Sequence, residues 1–107
     1  MKRFGQTIHL KPGKAAEYIR LHSAVWPGVL KMIKECNISN YSIFFKDDML
    51  FAYFEYNGFD FEADMKKMAA HEETRKWWNV VKPLMVPLAT ANVGEFWAGM
   101  DEIFHLN

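Results

Sequence analysis

The stretch ISNYSIFFKDDMLFAYFEY, residues 38–56, contains two runs of β-prone residues that are separated by two aspartates. Both runs are rich in the aromatic and aliphatic side chains that strands favour. Adjacent aspartates are typical of tight turns, so we expect Asp47 and Asp48 to join the runs as a β-hairpin. In the first run, the alternation places three side chains on one face: Tyr41, Ile43 and Phe45.

A further strand and an amphipathic helix precede this hairpin. Residues 3–11 alternate between two sides, and one side consists of Phe4, Gln6, Ile8 and Leu10. Pro12-Gly13 ends this strand. In the helix that follows, helical spacing gathers five side chains on one face: Tyr18, Leu21, His22, Val25 and Trp26. Pro27 either bends this helix or restarts it, because proline fits best in a first helical turn.

The pattern after the hairpin is again helical and then returns to β-prone residues. It is helical from Asp60 to about Trp78, with His71-Glu72 as an interruption, and the chain closes with a β-prone stretch ending in DEIFHL. The order β-α-β-β-α-β predicts the α+β, ferredoxin-like arrangement, a four-stranded antiparallel sheet with both helices on one face. The length is close to that of one domain, so we expect residues 1–107 to form a single domain.

The composition restricts the partners that the chain can bind. The formal net charge is zero, whereas nucleic acids and anionic membranes attract basic surfaces, so we expect neither as a partner. Aromatic residues make up 16% of the chain, which favours a ring-lined cavity or a large subunit interface. The predicted sheet has one uncovered face, and we expect a homodimer that buries it.

Cysteine usage and motif content limit the location and the chemistry. Cys36 is the only cysteine, so no intrachain disulfide can form, and a reducing, cytoplasmic setting is expected. The four histidines lack the spacing of metal ligands, and the glycines form no phosphate-binding loop. The residues therefore give no support for a metal or nucleotide site.

His22 is the residue of the helical stripe that suggests chemistry. It lies one turn from Tyr18 and one turn from Trp26 on the same face. One interpretation is a histidine at the edge of the core whose ring bonds a backbone carbonyl. The other is an imidazole that lines a pocket and transfers a proton near neutral pH, for which a reference pKa of about 6.5 is suitable.

Three further aromatic residues are candidates for ligand contacts. Trp77 and Trp78 are adjacent on a helix, so their side chains diverge by about 100° and cannot share one core layer. One can pack while the other flanks a cleft, where an indole ring stacks on a sugar; a core position plus an interface is the alternative. Tyr41 lies on an apolar strand face and needs a partner for its hydroxyl, which is also common in cores.

The sequence resembles a known family along most of its length. YIRLHSAVWP, residues 18–27, resembles the Y-x-x-x-H-x-x-x-W-P helix of the L-rhamnose mutarotases. NYSIFF is similar to the strand segment N-Y-x-I-x of that family. LFAYFE, RKWWNVVKPLM and the terminal EIFHL also fall in the same order at similar spacing. The helix motif together with the paired tryptophans is the most specific part of this resemblance.

The resemblance implies a dimeric ferredoxin-like α+β barrel that interconverts the anomers of L-rhamnose without a cofactor or a metal. Carried over by position, it implies that His22 is the proton donor and that the sugar contacts are Tyr18, Tyr41, Trp77 and Trp78. The loop at residues 83–99 departs from the family pattern, so a mutarotase of another sugar, such as L-fucose, is an alternative. A dimeric α+β barrel monooxygenase and a non-catalytic sugar-binding dimer are the alternatives from other classes.

Overall fold

The predicted hairpin is present in the computed structural model, which describes residues 1–107. Strands β2 (Ile38–Lys46) and β3 (Met49–Tyr56) pair antiparallel. Asp47 and Asp48 connect them with φ angles of 50° and 58°, the left-handed backbone that a two-residue hairpin turn requires. The register shifts between Ser39 and Ser42, where Asn40 also has a positive φ of 48°. This irregularity is a β-bulge in the edge strand.

Strand β1 (Lys2–Leu10) lies at the centre of the sheet and pairs antiparallel with β3 along most of its length. Its other side is shared by two short strands, β4 (Met85–Val86) and β5 (Ala98–Met100). The sheet order is therefore β2-β3-β1, with β4 and β5 both beside β1. The α+β, ferredoxin-like prediction is confirmed, but the fourth strand position is divided between two segments.

The predicted closing strand is present as β5, but it does not extend into DEIFHL. Strand β5 ends at Met100, and residues 101–107 have no strand partner. The tail runs on beside β1, where the Glu102 carboxylate accepts hydrogen bonds from the Arg3 guanidinium at 3.0–3.3 Å. A side-chain ion pair thus holds the start of the tail, and backbone pairing does not continue along it.

Four helices cover one face of the sheet. The stripe predicted from the sequence is not one continuous helix, because one helix ends at His22 and the next begins at Pro27. Proline disfavours helical backbone in the residue before it, and Trp26 is accordingly extended. His71 separates the second helical pair, as the sequence predicted. The helices are α1 (Ala15–His22), α2 (Pro27–Glu35), α3 (Phe61–Ala70) and α4 (Glu72–Val81), with a 3₁₀ turn at Lys82–Leu84.

The core between the helices and the sheet consists of two clusters. The first is centred on α1, α2 and α4 and contains Ile8, Leu10, Tyr18, Val29, Leu50, Trp77, Val81, Leu84 and Met85. The second lies toward α3 and contains Cys36, Ile38, Phe54, Tyr56 and Met68. Ile33 and Trp78 are half-buried and pack against both clusters. These two side chains therefore span the middle of the helix-facing layer.

The opposite face of the sheet carries exposed aromatic side chains. Phe44 is 63% exposed, and its partner across the β2–β3 ladder, Phe51, is 39% exposed. The tail adds three exposed apolar residues: Ile103, Phe104 and Leu106. None of the helices has the length and apolar character needed to cross a membrane.

Candidate functional site

His22 is the last residue of α1, where the helix stops before the restart at Pro27. Its ring nitrogen Nδ1 lies 2.9 Å from the backbone carbonyl oxygen of Tyr18, one turn earlier. A carbonyl oxygen can only accept, so Nδ1 carries the proton and donates this hydrogen bond. The second nitrogen, Nε2, is then free to accept or donate a proton.

Aromatic rings hold the imidazole on two sides. The ring of Tyr18 stacks on it with a centroid distance of 4.1 Å and an interplanar angle of 25°. Trp77, from α4, meets it edge-on at 5.2 Å. Trp77 is itself only 5% exposed, and its ring packs edge-on against that of Trp26 with a centroid distance of 5.3 Å. The orientation of the imidazole is therefore fixed by packing as well as by its hydrogen bond.

A cleft of about 330 Å³ lies beside this imidazole, between α1 and the edge of the sheet formed by β2. This volume is at the lower end of the range for small-molecule sites and suits a monosaccharide. Apart from His22, the lining is mostly apolar. The lining residues are Tyr18, Ile19, His22, Ser23, Ile43, Phe45 and Leu50.

Burial changes the acidity of the ionisable groups at the cleft. It lowers the pKa of His22, and the hydrogen bond to the Tyr18 carbonyl opposes this shift. Burial of the phenol raises the pKa of Tyr41, although 39% of the residue is exposed. The pKa of Tyr18 is also raised, first by burial and then by the nearby Tyr41 phenol. Both tyrosines therefore keep their hydroxyl protons at neutral pH.

The structure places the five predicted site residues at three different depths. Tyr18 and His22 line the cleft directly, and Trp77 forms the wall behind the imidazole. Tyr41 precedes the cleft residue Ile43 on the same face of β2 and lies close enough to Tyr18 to affect its pKa. Trp78 does not line the cleft. Its ring packs between the two core clusters.

Lys82 connects Trp78 to the loop that departs from the family pattern. Its ammonium lies over the Trp78 ring at 4.7 Å and over the Phe96 ring at 5.1 Å, a cation–π arrangement. Phe96 and Trp97 also pack against the first core cluster. The loop at residues 83–99 therefore packs near Trp78, and no residue of it is part of the cleft lining.

The sequence analysis missed much of the apolar part of the lining. Ile19, Phe45 and Leu50 contribute to the cleft, yet nothing in their residue types distinguishes them from core positions. Ile19 is 52% exposed, so the helix face beside His22 is accessible to solvent. Nowhere does the structure bring together three His, Cys, Asp or Glu side chains as a metal site requires.

Comparison with known proteins assigns the chain to a family. A sequence model of the L-rhamnose mutarotases matches residues 3–106. The chain belongs to the L-rhamnose mutarotase family. The L-rhamnose mutarotase of Listeria monocytogenes is 34% identical over 108 residues, which cover 99% of each chain. That of Oceanobacillus iheyensis is 31% identical over 109 residues and the full length of both chains.

Solved structures agree with the fold of the mutarotase family. The crystal structure of an L-rhamnose mutarotase from Formosa agariphila superposes with a TM-score of 0.79, at 23% identity and full coverage of both chains. A polyketide cyclase, tetracenomycin F2 cyclase from Streptomyces glaucescens, superposes with a TM-score of 0.66 at 13% identity. These likenesses concern the fold, which hosts different chemistries. The family membership favours neither the monooxygenase nor the L-fucose alternative.

Proposed function

We propose that the protein interconverts the α and β anomers of L-rhamnose and that His22 is its proton donor. The observation that supports this role is the arrangement of the imidazole. Nδ1 is bound to the Tyr18 carbonyl, so Nε2 is the one nitrogen left for a substrate in a cleft of monosaccharide size. A positioned group of this kind is what general acid catalysis requires.

The reaction opens and recloses the sugar ring. Protonated His22 donates from Nε2 to the ring oxygen while water removes the proton of the anomeric hydroxyl, and the bond between C1 and the ring oxygen breaks. Rotation about C1–C2 turns the aldehyde. On reclosure, Nε2 takes the proton back from the former ring oxygen as this oxygen attacks C1, and water returns a proton to the new anomeric hydroxyl.

The aromatic residues position the sugar for these proton transfers. Tyr18 and Tyr41 are neutral at pH 7, as tyrosines ordinarily are, and burial raises their pKa values further. We assign them as hydrogen-bond partners of sugar hydroxyls. We assign the apolar C–H surface of the sugar to Trp77 and Trp78, because such surfaces stack well on indole rings. Trp78 lies outside the cleft lining, so its contact requires the sugar to extend past Ile43 toward the core clusters. The aliphatic cleft residues, such as Ile43, suit the 6-deoxy methyl group.

Exchange NMR on L-rhamnose tests this function. The native protein should accelerate the interconversion of the two anomers above the rate in buffer. His22→Ala should lose about 10²–10⁴-fold of this acceleration, the usual contribution of general acid–base catalysis, while circular dichroism shows an intact fold. A mutant that retains the native rate would remove His22 from the mechanism, and a native rate equal to that of buffer would overturn the function.

We further propose that the enzyme is a homodimer and works in the cytoplasm. A second copy of the chain is the occupant that best suits the exposed face with Phe44 and Phe51, because the apolar tail beside it is also uncovered. Contiguous exposed aromatic side chains usually mark such interfaces. The proposed location is supported by Cys36, which is a buried free thiol of the kind found in reducing compartments.

A further inference from the structure

Gln6 is a polar residue on the apolar, helix-facing side of β1. Along the strand it lies between Phe4, which stacks on Phe54 of the second core cluster, and Ile8, which is fully buried in the first. Gln6 is half-buried. Strand alternation directs its side chain into the same layer as those of Phe4 and Ile8, so an amide group lies at the boundary between the two clusters.

The neighbours of Gln6 across the sheet are unusually small. Gln6 is paired with Ala52 on β3 and with Gly99 on β5. Neither residue has a side chain that reaches the amide, and the protein provides this amide with no hydrogen-bond partner. Because no fully buried side-chain nitrogen or oxygen lacks a partner, the polar atoms of Gln6 face accessible space.

The position of Gln6 connects it to the site around His22. On the far side of Ala52, the next residue in the same row of the sheet is Ile43, which lines the cleft. Trp78 packs against the clusters on both sides of this row. Gln6 does not line the cleft itself. It lies two strands inward from the cleft residue Ile43, and only the methyl group of Ala52 stands between them in the row.

We propose that the Gln6 amide hydrogen-bonds a ring hydroxyl of the bound sugar and so contributes to sugar specificity. This inference rests on the proposed function, in which the sugar occupies the site around His22. An amide can donate to and accept from one hydroxyl, which makes it a suitable sugar ligand. Nothing else in the row that contains Ala52 and Ile43 can form a side-chain hydrogen bond, so Gln6 supplies the polar contact of that row.

The test combines a shape-conserving variant with deoxy sugars. Gln6→Met keeps the size of the side chain and removes its hydrogen bonding. The values of kcat and KM are measured by exchange NMR for L-rhamnose and for its 2-deoxy, 3-deoxy and 4-deoxy analogues, with native and variant protein. For each sugar the variant is compared with the native protein, so differences in intrinsic ring-opening rate cancel.

We expect Gln6→Met to lower kcat/KM for L-rhamnose about two- to tenfold, the effect of one neutral hydrogen bond, mainly through a higher KM. For the deoxy analogue that lacks the bonded hydroxyl, Gln6→Met and native protein should have the same kcat/KM, because the hydrogen bond is already absent. If Gln6→Met lowered kcat/KM equally for all four sugars, the role of Gln6 would be merely structural and the proposal would be overturned. If it lowered kcat/KM for none of them, the proposal would also be overturned.

Two further measurements keep the outcomes distinct. Native protein should itself discriminate against one deoxy analogue, and a native enzyme that treats all four sugars alike overturns the role of Gln6 even if Gln6→Met does not fold. Native protein that leaves L-rhamnose exchange at the buffer rate overturns the function and this inference together. If the native protein is active, His22→Ala loses that activity and Gln6→Met retains it, only the inference about Gln6 is overturned.

Discussion

The imidazole Nδ1 of His22 donates a hydrogen bond to the backbone carbonyl oxygen of Tyr18 at 2.9 Å, while the Tyr18 ring stacks on the same imidazole at 4.1 Å. One residue thus fixes both the tautomer and the plane of the histidine. The hydrogen bond runs back one turn along α1, from the last residue of the helix to the carbonyl oxygen of Tyr18. The backbone of α1 thus provides a partner for one of the two nitrogens of His22, the proposed proton donor.

The catalysed rate of anomer exchange should fall as pH rises through the pKa of His22. Burial lowers this pKa below the usual value, and the proposed donor is the protonated ring, which is lost as pH increases. Exchange NMR between about pH 5 and about pH 8, with the buffer-catalysed rate subtracted, measures the profile. A rate that increases over this range would identify the neutral imidazole of His22 as a base.

Tyr18→Phe should lower kcat/KM by a factor corresponding to about 0.5–1.5 kcal/mol, because it removes one hydroxyl from the cleft. The stacked ring and the backbone carbonyl that orient His22 remain, so the pH profile should not move. Tyr56→Phe is the matched control, since the Tyr56 hydroxyl bonds Asp64 outside the cleft. If both variants reduced activity equally, the Tyr18 hydroxyl would have no specific role.

The contribution of Asp48 in the hairpin turn to stability should depend on its backbone conformation and not on contacts of its side chain. Asp48 has a φ of 58°, a conformation that costs most side chains about 1–2 kcal/mol and glycine nothing. Asp48→Ala should therefore lower the free energy of unfolding by about 1 kcal/mol, whereas Asp48→Gly should leave it close to the native value. Urea unfolding of the two variants measures this contrast. Equal destabilisation by both would point to a lost contact of the carboxylate.

Phe44→Glu should convert the proposed dimer into monomers, because it places charges on both sides of an apolar interface. Sedimentation velocity over a range of protein concentrations measures the shift. Phe59→Glu is the matched control, since Phe59 is fully exposed in the loop before α3. A native protein that sediments as a monomer at all concentrations would contradict the dimer.

Most of the fold could be predicted from the sequence because strong local signals define it. The two aspartates at the turn, Pro27 at a helix start and His71 at a helix break each act through the backbone of one or two residues. The strand at Met85–Val86 and the shortness of β5 could not be predicted. They depend on where β1 still has unpaired backbone groups, which is a property of the assembled sheet.

The site was predictable only in part, for a related reason. His22 and Tyr18 stand out because their chemistry is unusual on a helical stripe. Ile43 is half-buried and lines the cleft from the sheet edge, whereas Leu50 borders it from the buried core. Residue type alone distinguishes neither position from an ordinary core position. The alternation of β1 already places Gln6 on the side of Phe4 and Ile8. Its lack of a hydrogen-bond partner depends on the neighbouring strands, which place Ala52 and Gly99 beside it.

The bulge in β2 has a consequence for how the two faces of the sheet communicate. Ile38 and Tyr41 are an odd number of residues apart, and both can point toward the helices only because an extra residue, Asn40, interrupts the alternation. The side-chain amide of Asn40 donates to Glu55 at 2.7 Å on the opposite face. A second copy docked on that face, as proposed above, would therefore lie against the same bulge that sets the direction of Tyr41, a proposed sugar contact.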